Sequence, residues 1–234
     1  PLLFSPDSRR LAYVTSGKPQ ERKQSVVVDG VVGRWYAEVG GQVHDSSRWQ
    51  GGPVFSPDSR RLAYVAVSVG RVRALLAPLQ SALAETMERL GRPCVPSILP
   101  APKFFVAVDG IEGRPYVRAQ DLTFSPDGQR IAYKAMRSQK WLVVVDGSEG
   151  KPYDYVTEGP FFSPDSKRVV YVAKRGQKHL VVVDSAETCE YDGTYVAAFL
   201  PRKPSIFFTS PNSLCFLGWR DNQWLRVEVE IVEE

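Results

Sequence analysis

Phe-Ser-Pro-Asp occurs four times in this chain, at Phe4–Asp7, Phe55–Asp58, Phe124–Asp127 and Phe162–Asp165, with a worn fifth copy at Thr209–Asn212. A second motif alternates strictly with it. Val-Asp-Gly stands at Val28–Gly30, Val108–Gly110 and Val145–Gly147, and Val-Asp-Ser at Val183–Ser185. Such a period means one supersecondary unit built several times and stacked, because a single unit cannot bury its own apolar faces. The shortest full unit runs 38 residues, from Ser125 to Ser163.

That unit reads as four strands: Asp121–Phe124, Arg130–Ala135, Trp141–Val145 and Pro152–Val156. Val, Ile, Tyr and Phe fill these runs, and Gly, Pro, Asp and Ser separate them. In the Ser-Pro-Asp turn, proline pre-sets φ while Ser and Asp reach nearby backbone amides. In Asp146–Gly150 the glycines permit positive φ in a hairpin. Asp7, Asp58, Asp127 and Asp165 in the first motif, and Asp29, Asp109, Asp146 and Asp184 in the second, are therefore read as turn residues. A catalytic group is needed once, and these recur in every unit. Four antiparallel strands repeated about every 40 residues predict an all-β, five-bladed β-propeller of four-stranded blades. An incomplete part of a six- or seven-bladed propeller is the alternative. The chain forms one propeller domain over residues 1–234, closing strand unassigned, with 67–103 inserted between the second and third strands of the second blade.

Composition narrows the functions. The net charge is only +4, with 30 basic and 26 acidic residues interleaved, so no basic face for nucleic acid is expected. Eighteen prolines spread along the length exclude a coiled coil. The longest apolar runs, such as Leu142–Val145, are too short for an integral membrane segment. Cys94, Cys189 and Cys215 show no CxxC spacing and histidines occur only at His44 and His179, so no metal site and no cofactor are expected. The cysteines are read as buried free thiols, with a Cys189–Cys215 disulfide as the alternative. The chain carries no Gly-x-Ser-x-Gly elbow, Walker loop or dinucleotide fingerprint, and no catalytic residue is assigned.

The Ser-to-Ser spacings are 51, 69, 38 and 47, so three units carry extra residues. The motifs place the surplus between second and third strands, chiefly in the second unit, and after the fourth strand in the first and fourth units. Antiparallel order puts both connections on one face, opposite the two turn motifs. The largest surplus contains Leu75, Leu79, Leu83 and Met87 at helical spacing, which predicts a helix over about 71–91. Elaborated loops on a rigid scaffold concentrate function. Arg48, Trp49, Arg71, Leu75, Leu79, Leu83, Met87, Arg202 and Lys203 are the candidate contacts for a protein partner.

The stretches Phe124–Tyr133 and Phe162–Tyr171 resemble the WD40-like, TolB-type propeller repeat, whose hallmark is Ser-Pro-Asp-Gly-Lys-x-Ile-Ala-Tyr/Phe. The fifth copy, Ser210–Phe216, departs from it, as does the Val-Asp-Gly-x-x-Gly-x-Pro-Tyr stretch after the third strand. The resemblance implies a propeller and a bacterial, extracytoplasmic setting, with the cytoplasm as the alternative; a removed leader would fit the start at Pro1. The expected function is a non-catalytic scaffold that binds a protein through its inserted loops. Two alternatives stand beside it: a propeller joined to a prolyl-oligopeptidase-type hydrolase domain outside this chain, and an enzyme acting on a sugar or small molecule at the central channel.

Overall fold

The computed structural model describes residues 2–18, 23–40, 52–68, 89, 101–194 and 206–232. Five antiparallel sheets follow one another along the chain. The first comprises β1 (Leu2–Phe4), β2 (Leu11–Ser16), β3 (Gln24–Val28) and β4 (Val31–Tyr36), in that spatial order. In the second, β5 (Glu38–Val39) and β6 (Val54–Phe55) both pair with β7 (Leu62–Ser68), followed by β8 (Lys103–Val108) and β9 (Ile111–Glu112). The third holds β10 (Arg118–Phe124), β11 (Ile131–Arg137), β12 (Lys140–Val145) and β13 (Ser148–Glu149). The fourth holds β14 (Tyr155–Phe162), β15 (Val169–Arg175), β16 (Lys178–Val183) and β17 (Ala186–Glu187). In the fifth, β18 (Gly193–Thr194) and β19 (Ile206–Ser210) pair with β20 (Ser213–Arg220), and β21 (Gln223–Glu230) flanks β20.

Period-two alternation explains how the sheets stack. On β7, Leu62, Tyr64 and Ala66 join the core shared with the first sheet, while Ala63 and Val65 join the core shared with the third. On β11, Ile131, Tyr133 and Ala135 face the second sheet, and Ala132 packs in the core shared with the fourth. The central strands are thus apolar on both faces. Four core clusters each join two consecutive sheets, and the fold is an all-β propeller of four-stranded blades. The first strands of the third and fourth blades touch, as expected of edges that converge on an axis.

Aromatic pairs staple each junction. Tyr36 meets Tyr64, Tyr116 meets Tyr133, Tyr153 meets Tyr171 and Tyr191 meets Phe216, edge to face, with centroids 5.4–6.1 Å apart. The first ring ends the fourth strand of its blade (Tyr36) or follows it (Tyr116, Tyr153 and Tyr191), and the second sits on the second strand of the next blade. Tyr116 and Tyr153 also donate their hydroxyls to Glu149 and Glu187 of the next blade, at 2.9 Å each.

Two expectations need correction. The fourth strand is not Pro152–Val156. It is Ser148–Glu149, with Tyr153 bridging back to Trp141, and Tyr155 and Val156 already belong to the first strand of the next blade. The chain can switch blades this early because Gly150 draws it tight against the third strand: a Cβ there would lie 3.1 Å from the Val143 carbonyl oxygen. Nor are the thiols buried. Cys189 is exposed and Cys215 partly so, and the two are free rather than bonded. Cys94 and the helix expected over 71–91 lie outside the described residues, apart from Arg89. Among the described residues, no helix is long and apolar enough to cross a membrane.

Replacing Tyr153 with Phe keeps the ring pair and removes the hydroxyl from Glu187. A hydrogen bond to a charged group makes the expected loss about 2 kcal/mol in urea unfolding. Glu187→Gln and the double variant complete a cycle, and coupling between the two sites is the expected outcome.

Candidate functional site

What repeats in this protein is structural, and one face carries it. Ser5, Ser56, Ser125 and Ser163 donate their hydroxyls to Asp7, Asp58, Asp127 and Asp165. Each of these carboxylates also accepts a backbone N–H two residues on. All four are held below the usual carboxylate range, chiefly by the serine hydrogen bond. The second motif is built differently. Asp29, Asp109, Asp146 and Asp184 sit at φ 48–53 in two-residue hairpin loops and accept the backbone N–H of Leu11, Leu62, Ile131 and Val169. The turn of one strand pair is thereby tied to the turn of the other.

An arginine missed by the sequence analysis binds these turns across the blades. It is the fifth residue after each repeat serine. Arg10, Arg61 and Arg130 pair through Nε with Asp29, Asp109 and Asp146 at 2.9–3.1 Å. Their Nη1 groups then donate to carbonyls of the next blade's turn: Arg60, Gln129 and Ser166. Their guanidinium planes cover Phe55, Phe124 and Phe162 of that blade at 5.3–5.7 Å. Arg168 pairs with Asp184 at 3.2 Å. Serine hydroxyls add a second tie, since Ser59 accepts from the Asp7 amide and Ser166 from the Asp127 amide, both at 3.0 Å. The signal was present in the sequence as an arginine at constant offset, but only stacking shows that it serves the neighbouring blade.

What does not repeat lies on the first strands, at one level. In the third blade, Gln120 pairs with Lys134 and Thr123 with Ala132, so Asp121 and Leu122 bulge out of the ladder. In the fourth, Glu158 pairs with Val172 and Phe161 with Val170, and Gly159 and Pro160 bulge at the same height. Gly159 has φ 81, and a Cβ there would stand 2.8 Å from the Val170 carbonyl oxygen. In the second blade, Val39 pairs with Ala66 and Val54 with Ala63, and fourteen positions, 40–53, lie between them. In the fifth, Thr194 pairs with Gly218 and Ile206 with Phe216, so the ladder is interrupted between Thr194 and Ile206 at this level too. The two smaller insertions thus interrupt the first strand of a blade rather than the connection leading to it. Motif spacing could not reveal this, because β5 and β18 are two residues long and carry no pattern of their own. The largest insertion leaves β7 after Ser68 and returns at Lys103.

At this level Lys134 takes the place that Val14, Val65 and Val172 hold in other blades. It is 4% exposed and pairs with Asp121 at 2.9 Å. Asp121 has φ 53, a left-handed conformation that aspartate tolerates better than most side chains. Glu158 occupies the facing first strand, partly buried. Lys134, in the Lys134–Asp121 pair, thus stands at a second-strand position that holds valine in three other blades, and the repeat does not explain the pair. Among the described residues no group of three or more His, Cys, Asp or Glu is placed to hold a metal ion. Arg48, Trp49, Arg71, Leu75, Leu79, Leu83, Met87, Arg202 and Lys203 lie outside the described residues, so the structure neither assembles nor separates them.

No protein family's profile matches the chain, and no curated sequence is significantly similar to it. Solved propellers do align with it. The β-propeller domain of the Trilobed protease from Pyrococcus furiosus aligns over 100% of this chain and 71% of its own, at 10% identity and TM-score 0.42. A protein assigned as TolB from Agrobacterium tumefaciens aligns over 98% and 76%, at 13% identity and TM-score 0.39. Pyrococcus horikoshii acylaminoacyl peptidase aligns over 100% and 38%, at 11% identity and TM-score 0.39. Likeness at this level says nothing of activity.

Two outcomes test this division between repeated and unique residues. The depressed carboxylates stabilise the fold while ionised, so their contribution is complete above the ordinary carboxylate pKa of about 4 and disappears as pH falls through their lower folded values. The melting temperature should therefore fall in that acid window, and Asp127→Asn should flatten the fall. The double variant D121N/K134V, which removes both charges of the pair, should leave stability within about 1 kcal/mol of wild type, whereas Lys134→Val alone strands the Asp121 carboxylate and should cost more. A large loss in the double variant in a denaturant titration would make the pair structural.

Proposed function

We propose that this chain is a non-catalytic binding propeller, a scaffold that holds a protein partner through the segments inserted into its blades. One observation carries the reading: two insertions and two bulges interrupt first strands at one level, the largest insertion departs separately between β7 and β8, and the recurring acids are committed to turns. A rigid scaffold whose elaboration is confined to a few segments concentrates recognition there. On this reading the contacts are Arg48 and Trp49, whose segment is flanked by β5 and β6, Arg202 and Lys203, flanked by β18 and β19, and Leu75, Leu79, Leu83 and Met87, flanked by β7 and β8. The extracytoplasmic setting rests on the TolB-type resemblance of the repeat.

A second reading is favoured by the Asp121–Lys134 pair alone. An ion pair with a buried lysine on the strands nearest the axis suits an axis that binds a small polar molecule.

The first reading is tested by replacing 42–50, 70–100 and 196–204, one at a time, with a short Gly-Ser turn. The expected result is a defined partner, cross-linked and identified with the intact chain, that at least one replacement loses while circular dichroism and melting are preserved. Unchanged capture by all three replacements would overturn it. Loss of capture on Lys134→Val, with all segments intact, would move the site to the axis instead.

A further inference from the structure

The long outer edge of the fifth blade carries an inference independent of that function. The second, third and fourth blades end in strands of two residues, β9, β13 and β17. β21 has eight residues and, among the described residues, pairs on one side only, with β20. A strand edge of this length is a template for another strand.

The register of β21 defines what that edge offers. The hairpin turns through Asp221 and Asn222, at φ 51 and 63, a two-residue loop of the mirror-image type. Arg220 and Gln223, which flank it, pair directly. In such a loop the flanking pair exchanges both ladder hydrogen bonds, and bonding then alternates along the strand. The main-chain groups of Leu225, Val227 and Val229 therefore point inward to β20, and those of Arg226, Glu228 and Glu230 point outward. The side chains of Arg226 and Glu228, on one face of β21, pair with each other at 2.7 Å and are 69% and 62% exposed, so both remain open to a charge on a strand laid alongside.

A second β21 laid antiparallel along this edge can form hydrogen bonds only in registers that bring outward residues opposite one another. With the two-fold axis at Val227, Arg226 faces Glu228 of the second copy and Glu228 faces its Arg226. Leu225 then faces Val229, and Val227 faces itself. Moving the axis one residue either way sets Arg226 against Arg226 or Glu228 against Glu228, a like-charge pair directly opposite. Among the registers that hydrogen bonding allows, the one centred on Val227 sets Arg226 opposite Glu228 twice and no like charges opposite each other, so in it the edge is complementary to itself. We propose that two copies of this chain associate edge to edge through β21, in antiparallel register centred on Val227. The contact is isologous and closes at two.

Analytical ultracentrifugation of the full 234-residue chain over a concentration series tests this. A dimer is expected, and Arg226→Glu or Glu228→Arg should each weaken it about tenfold or more, since each turns two favourable cross-strand pairs into repulsive ones. The double variant R226E/E228R restores complementarity and should restore the dimer. Val227→Cys provides a second readout. Its two copies would face each other in a non-hydrogen-bonded pair, with Cα atoms about 4.5 Å apart, within disulfide reach. Mild oxidation should then produce a covalent dimer that wild type, with its own cysteines, does not form. A monomer at every concentration, or a dimer that neither charge reversal weakens, would overturn the proposal. Covering of β21 by a strand of another protein, or by a different segment of this chain, would give the first of these results.

Discussion

Each central sheet here is apolar on both faces, and contact with a facing sheet is what the rest of the molecule depends on. β7, β11 and β15 send alternate residues into two different cores, and at full burial none of these strands leaves a wet face. No blade can satisfy that pattern alone, so its stability belongs largely to its junctions. The polar chemistry follows from the same constraint. The arginine that closes one blade's turns has a planar fork, and the next blade's turn offers carbonyls at the right distance, with an aromatic ring beneath. Lysine could supply the charge there but neither the fork nor the stacking.

This divides the charged residues into two kinds. Eight aspartates and four arginines recur at fixed offsets and hold turns to turns. Asp121 and Lys134 do not recur. They sit where the ladder bulges in the third blade, at the level where the second and fifth blades interrupt their first strands altogether. A bulge and an insertion are the same solution at different lengths: both let the first strand leave the ladder without disturbing the pairing of the second and third. That tolerance is a physical reason for elaboration to gather at this level.

The strands and turns were largely legible in the sequence because their determinants are local. Val-Asp-Gly forces its two-residue loop through the left-handed conformations at Asp146 and Gly147, and Ser-Pro-Asp caps itself within five residues. Errors came where the determinant was not local. Tyr153 resembles a fourth-strand residue in any single unit, yet its ring belongs to the junction with Tyr171, and the strand it was assigned to is already the next blade. The exposure of Cys189 and Cys215 likewise depends on packing at the last junction, which the repeat, worn at that point, describes poorly.

The sequence alone determined the unit, its turns and the propeller, because a 38-residue period with alternating faces admits few other ways of burying its apolar residues. Only the tertiary structure decided that Arg10, Arg61 and Arg130 serve their neighbours, that the insertions open within first strands, and that Lys134 lies buried against Asp121. Each of these is a relation between residues brought together by pairing register or by the stacking of one sheet on the next, and motif spacing records neither.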